Sequence, residues 1–240
     1  MEQKLISISD LIKTSWQLCL KNYRQFILPI AVMLPAYLLL YFLDFFIFPG
    51  QEIILLLVMA LSIFINLWIS ILLIEMINKI YKNQSVNIND LFQSSMKKIA
   101  SYFWVLILVG LVTMLGFILL IVPGIIFAVW YGFAEYILVL ENIKGVESLK
   151  NSKELVRGRW GAAFWRLVLP ALLIYIIGGL AAFALTLIFS LGKIDFSSID
   201  QNLLFNAIIT FMFIVLSPLF VAFGVILYNS LKDTKKPIIQ

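Results

Sequence analysis

Ile8-Ser9-Asp10-Leu11-Ile12-Lys13-Thr14-Ser15-Trp16 and Ile88-Asn89-Asp90-Leu91-Phe92-Gln93-Ser94-Ser95-Met96 carry Ile, Asp, Leu and Ser at the same four places. A looser third copy reads Val146-Glu147-Ser148-Leu149-Lys150-Asn151-Ser152. Each stretch is short and amphipathic, lies in a basic region, and is followed by two long apolar segments. A unit that recurs decides architecture before any single residue does. The pattern predicts an all-α integral membrane protein: a six-span helical bundle of three parallel two-span repeats, each preceded by a cytoplasmic amphipathic helix. The repeats cover 1–80, 81–143 and 144–231 of a single membrane domain, and a short basic tail occupies 232–240.

Working outward, composition fits the same reading. Hydrophobic residues make up 62% of the 240 residues and charged residues 13%, against roughly half and a quarter in soluble domains. One soluble core of this size could not hide that much apolar surface, so lipid must cover it. The net charge of +5 does not point to nucleic acid, because the basic residues lie in loops beside apolar segments and form no RNA- or DNA-binding motif. The lone Cys19 excludes an intramolecular disulfide framework. The chain has no histidine, which removes the commonest general base and transition-metal ligand. No cleavable signal is evident in the polar, amphipathic first two dozen residues.

Six segments approach or exceed the ~20 apolar residues that cross a ~30 Å hydrocarbon core: 26–48, 53–78, 102–122, 125–142, 162–191 and 203–228. Segments three and four form one apolar run in which Pro123-Gly124 predicts a tight turn. Sixteen of the eighteen Lys and Arg residues then fall on one side, in the N-terminal stretch, the loops at 79–98 and 144–159, and the tail. The opposite loops hold only Lys193, beside Asp195 and Asp200. That bias places both termini in the cytoplasm of an inner-membrane protein.

The basic stretches have helical spacing. Ile8, Leu11, Ile12, Ser15, Trp16, Cys19 and Tyr23 share one face, and Ile88, Leu91, Phe92, Ser95, Met96, Ile99 and Phe103 repeat it. Ser9 and Asn89 are the expected N-caps. Such helices are expected to lie in the interface, apolar side among acyl chains and lysines near anionic headgroups. The alternative is a helix that packs on its own protein.

Val122-Pro123-Gly124-Ile125-Ile126, then Leu140-Glu141-Asn142-Ile143-Lys144-Gly145-Val146-Glu147-Ser148-Leu149-Lys150-Asn151-Ser152, then Leu155-Val156-Arg157-Gly158-Arg159-Trp160 resembles the membrane domain fused to some bacterial glycerophosphodiester phosphodiesterases. It is also similar to related stand-alone bacterial membrane proteins of unknown function. The resemblance implies a polytopic helical fold near lipid metabolism. It does not imply hydrolysis, since the histidines and metal-binding carboxylates of those fusions belong to a separate soluble domain. No catalytic residue is carried over.

Ionisable groups inside spans are the remaining candidates, because each costs ~3 kcal/mol at a helix centre. Glu135 lies near the middle of segment four with Tyr131 one turn before it. The pair either binds a cationic headgroup, relays a proton, or holds helices together. Glu141, Arg157, Arg159 and Arg166 either form ion pairs that fasten modules together or make a headgroup site, for which the arginine fork suits phosphate. Asn66 is expected to bond a neighbouring helix, Glu75 to reach the surface, and Asp44 to be solvated. Trp104, Trp130, Trp160 and Trp165 read as anchors or packing. Pro29, Pro35, Pro170 and Pro218 interrupt segments one, five and six, and Gly178 with Ala182 gives a small-xxx-small spacing.

The function expected from the sequence is a non-catalytic lipid-binding, membrane-organising or partner-docking module without cofactor or metal. Its partners are membrane lipids, anionic phospholipid foremost, and a membrane protein. The alternative is a small permease or lipid-translocating protein using Glu135.

Overall fold

The computed structural model describes residues 5–46, 52–191 and 201–234. Among these residues the chain is helical in nine pieces and contains no strand. α1 (Ile8–Lys21) turns at Asn22 into α2 (Tyr23–Phe46), and α3 (Glu52–Tyr81) returns against it. α4 (Ile88–Leu119) runs out again, and α5 (Ile121–Tyr131) with α6 (Ala134–Glu141) comes back along it. α7 (Gly145–Val156) then leads to α8 (Trp160–Leu191), which pairs with α9 (Gln201–Asp233). α3 packs on α4 and α6, α5 on α8, and α9 on α2 and α3, so each of the three hairpins touches both others. The arrangement is a closed ring, a point on which the sequence is silent.

Five stretches of the described residues are long and apolar enough to cross a membrane: Ile53–Tyr81, Ile88–Leu119, Ile121–Glu141, Trp160–Ala181 and Ile209–Asp233. Sequence segment one falls on α2, which is 24 residues long, as far as residue 46, and its last two residues lie outside the described residues. Between 11% and 44% of each apolar window is buried, so most of that surface faces outward and requires an apolar solvent. The exposed apolar residues form a belt over 53–64 of α3, 111–122 around the α4–α5 bend and 172–187 of α8. The buried core lies at the other end, in 69–77 of α3, Phe133 and 134–139 of α6, 148–156 of α7 and 219–231 of α9. The basic residues cluster at that packed end. Lys193, Asp195 and Asp200 lie outside the described residues, as do the side chains of Asp44 and Ala182.

Local details depart from the sequence reading in four places. The outer bend falls at Leu120, whose extended backbone (φ −167°, ψ 159°) separates α4 from α5. Pro123 and Gly124 instead sit in the first turn of α5. Backbone N–H groups have no intrahelical partner there, so proline is tolerated. Glycine is required on both sides of the bend: a Cβ on Gly124 would run into the Phe117 ring, and one on Gly116 would come within 2.9 Å of the Gly124 Cα.

The internal prolines do not end their helices. α2, α8 and α9 run through Pro29, Pro35, Pro170 and Pro218. At Pro218 the carbonyl of Ile214, which loses its usual donor, receives the Ser217 hydroxyl at 2.7 Å. The true interruption is at Gly132-Phe133, between α5 and α6.

The caps lie two residues earlier than expected, at Ser7 and Asn87, because Ile8 and Ile88 are already helical. Ser7 Oγ accepts from the Asp10 N–H and donates to the Asp10 carboxylate at 2.6 Å.

The face of α1 that the spacing assigns to acyl chains is divided. Leu11 and Ser15 are buried against the protein, as is Leu18 beside them, since ring closure brings α8 and α9 under α1. Trp16 and Tyr23, the latter at the start of α2, remain exposed, each by at least 50%.

Candidate functional site

Acidic and hydroxyl side chains of the packed end are tied across helices. Glu75 of α3 is only 8% exposed, so it does not reach the surface as the sequence suggested. Lys98 of α4 donates to it at 2.6 Å and to the Val139 carbonyl of α6 at 2.7 Å, and the Ser94 hydroxyl also donates to Glu75. Glu135 stands in the first turn of α6, just past the break, and accepts from the Tyr102 hydroxyl at 2.6 Å. Tyr136 also hydrogen-bonds to it. Gly224 of α9 leaves the space that the Tyr136 hydroxyl occupies. Tyr131 closes α5 and meets Phe127 edge-on, with ring centroids 6.1 Å apart, so the break divides it from Glu135 into a different helix. Asn66 ties α3 to α2 by accepting from Tyr37 at 3.0 Å.

The four residues assigned to one headgroup site go to separate places. Glu141 accepts from Lys232 Nζ at 2.8 Å and from the Tyr228 hydroxyl, both of α9. Arg159 donates to Thr234 Oγ1 at 2.6 Å and to the carbonyls of Leu231 and Leu155 at 2.8 and 3.2 Å. It thereby caps carbonyls in the last turns of α9 and α7. Burial lowers the pKa of its guanidinium from the ordinary value. Arg166 donates to the Ile6 carbonyl at 2.6 Å and to Ala162 at 2.9 Å, fixing the segment before α1 onto α8. Arg157 is different: its side chain is 77% exposed and meets Glu154 one turn back at 3.2 Å.

Arg157 belongs instead to an open cleft of about 620 Å³ lined by Trp130, Lys150, Lys153, Glu154, Arg157, Gly158 and Trp160. The spacing of Lys150, Lys153 and Arg157 puts three cations on one face of α7 and its exit. The Lys153 ammonium lies 4.4 Å from the centre of the Trp130 ring, a cation–π distance. Gly158 turns the chain at φ +74°, a conformation that favours glycine, where the chain passes from α7 to Trp160 at the start of α8.

α7 is held against the ring by Ser152. Its hydroxyl donates to the Trp130 carbonyl at 2.7 Å and accepts from the Phe133 N–H at 3.1 Å, bridging the two sides of the α5–α6 break. Ser95 occupies the same place, seven residues past the first residue of its helix, and accepts from Trp68 Nε1 at 2.8 Å. Ser15 stands at that offset in α1, fully buried, with its oxygen unpartnered.

Lys98, Lys150, Lys153, Ser152 and Tyr102 were not singled out from the sequence. The repeated serine was only a partial signal for Ser152, which stands seventh in its looser copy where Ser15 and Ser95 stand eighth. No group of three Cys, Asp or Glu side chains among the described residues is placed to hold a metal ion. Burial pushes the Cys19 thiol up to about 12, which keeps it protonated and a poor nucleophile.

The chain belongs to the Uncharacterised protein family (UPF0259), whose model matches residues 47–222. That match shows no link to phosphodiesterases. No curated protein and no solved structure matches the chain.

Proposed function

We propose that the protein is a non-catalytic inner-membrane module that binds anionic phospholipid headgroups at its basic, cytoplasmic end. In this reading α2 supplies the sixth span, and the three hairpins are parallel repeats led by α1, the start of α4, and α7. The cleft at α7 is the observation that carries the proposal. It joins three cations to two tryptophans, and it opens where α8 begins a face of exposed apolar residues that includes Trp160, Trp165, Leu172 and Tyr175. A phosphate in the cleft would leave its acyl chains along that face. Each basic residue near an anionic surface contributes ~1 kcal/mol. Headgroup contact therefore rests on Lys150, Lys153 and Arg157, while Arg159, Arg166 and Glu141 tie the fold together. Glu135, held by two phenols, is read as a helix tie rather than a transport site.

Native mass spectrometry of protein extracted in mild detergent tests this. A discrete anionic phospholipid adduct should accompany the wild type and disappear from a Lys150→Gln, Lys153→Gln, Arg157→Gln variant that melts at the wild-type temperature. An adduct retained by that variant would contradict the proposed cleft.

A further inference from the structure

Resting on that reading, we propose that the cleft selects a phosphomonoester, a terminal phosphate able to carry two charges, over the phosphodiester of ordinary anionic phospholipids. The geometry points to this class through charge and donor placement. Lys150, Lys153 and Arg157 face Glu154 alone among the cleft residues, so the three cations against one carboxylate leave a balance of two positive charges. A diester supplies one negative charge on two free oxygens. A monoester supplies three oxygens and, with a second pKa of about 6, nearly two charges at neutral pH.

Two further contacts sharpen the preference. Glu154 holds Arg157 through a single exposed 3.2 Å contact, a weak surface pair, so an incoming dianion can take over the guanidinium where a monoanion competes poorly with the carboxylate. Lys153, placed against the Trp130 ring, presents a positioned ammonium on the cleft wall. Ammonium donors stabilise the doubly ionised phosphate and so favour loss of its second proton on binding. A diester has no such proton to lose. The shared chemistry is the terminal phosphate, borne either by a lipid such as phosphatidic acid or by a soluble ester.

The test is competition in detergent between equimolar dioleoyl phosphatidic acid and dioleoyl phosphatidylglycerol, read by native mass spectrometry. With one additional lysine contact realised by the monoester, the phosphatidic acid adduct should exceed the phosphatidylglycerol adduct by about fivefold near pH 8. The ratio should fall towards one near pH 5, about a unit below the second phosphate pKa. Lys150→Gln with Lys153→Gln should erase the preference at unchanged melting temperature, and Arg157→Gln alone should reduce it. Equal adducts of both lipids, both lost in the double variant, would overturn the monoester selectivity while leaving the headgroup cleft standing. Absence of both adducts from the wild type would overturn the selectivity and the headgroup cleft together. Added glycerol 3-phosphate that displaces phosphatidic acid at comparable concentration would place the soluble ester in the cleft, and failure to displace it would place the lipid there.

Discussion

α3 passes through two environments that differ more than its even hydropathy suggests. From Ile53 to Phe64 its large side chains are mostly exposed, whereas Ile71 to Ile77 are nearly inaccessible. α9 repeats the contrast between exposed Phe211 and Val215 and the buried run from Ala222 to Asn229. The first half of the ring relies on an apolar solvent for cover. The second is packed like a soluble core and laced with Glu75–Lys98, Glu135–Tyr102, Glu141–Lys232 and Asn78–Asn229. Hydropathy reports which residues avoid water but not whether lipid or protein replaces it. Polar partners make the distinction, because buried polar groups must be satisfied and lipid offers none.

The largest effect is expected at the Glu75–Lys98 pair. Lys98→Ala leaves a buried carboxylate without its cation and should cost about 3–5 kcal/mol. Thermal unfolding in detergent would show it, with Ile177→Ala in the exposed belt as a control that shifts stability by under about 0.5 kcal/mol. Comparable losses at both positions would dissolve the distinction between the halves.

A smaller effect separates serines at matching places. Ser152→Ala exposes a carbonyl and an N–H at the α5–α6 break and should cost about 1–3 kcal/mol. Ser15→Ala removes an oxygen that bonds nothing and should be neutral or slightly stabilising. Chemical denaturation of the two variants side by side reads the difference, and equal losses would mean that the Ser152 bridge carries no energy.

Hydrophobic runs and charge placement made the helical hairpins and their basic end legible. The periodicity of α1 was legible too, but not which neighbour its face would meet, since that depends on ring closure by residues some two hundred positions later. The headgroup residues were the least legible. Arg157, Arg159 and Arg166 look alike in sequence, yet two are consumed by carbonyls of α9, α7 and the segment before α1. The lysines beside Arg157 acquire their setting only from Trp130 on α5. Pro123 misled the placement of the turn because a proline within the first helical turn and one inside a loop read identically.

The most direct test of the two-half account is photo-crosslinking in nanodiscs with two phosphatidic acid probes, one reactive at the headgroup and one at the acyl terminus. The account predicts that the headgroup probe labels residues 145–160 and the acyl probe labels 111–122 and 172–187. Headgroup labelling concentrated in 172–187, or spread evenly over both halves, would contradict it.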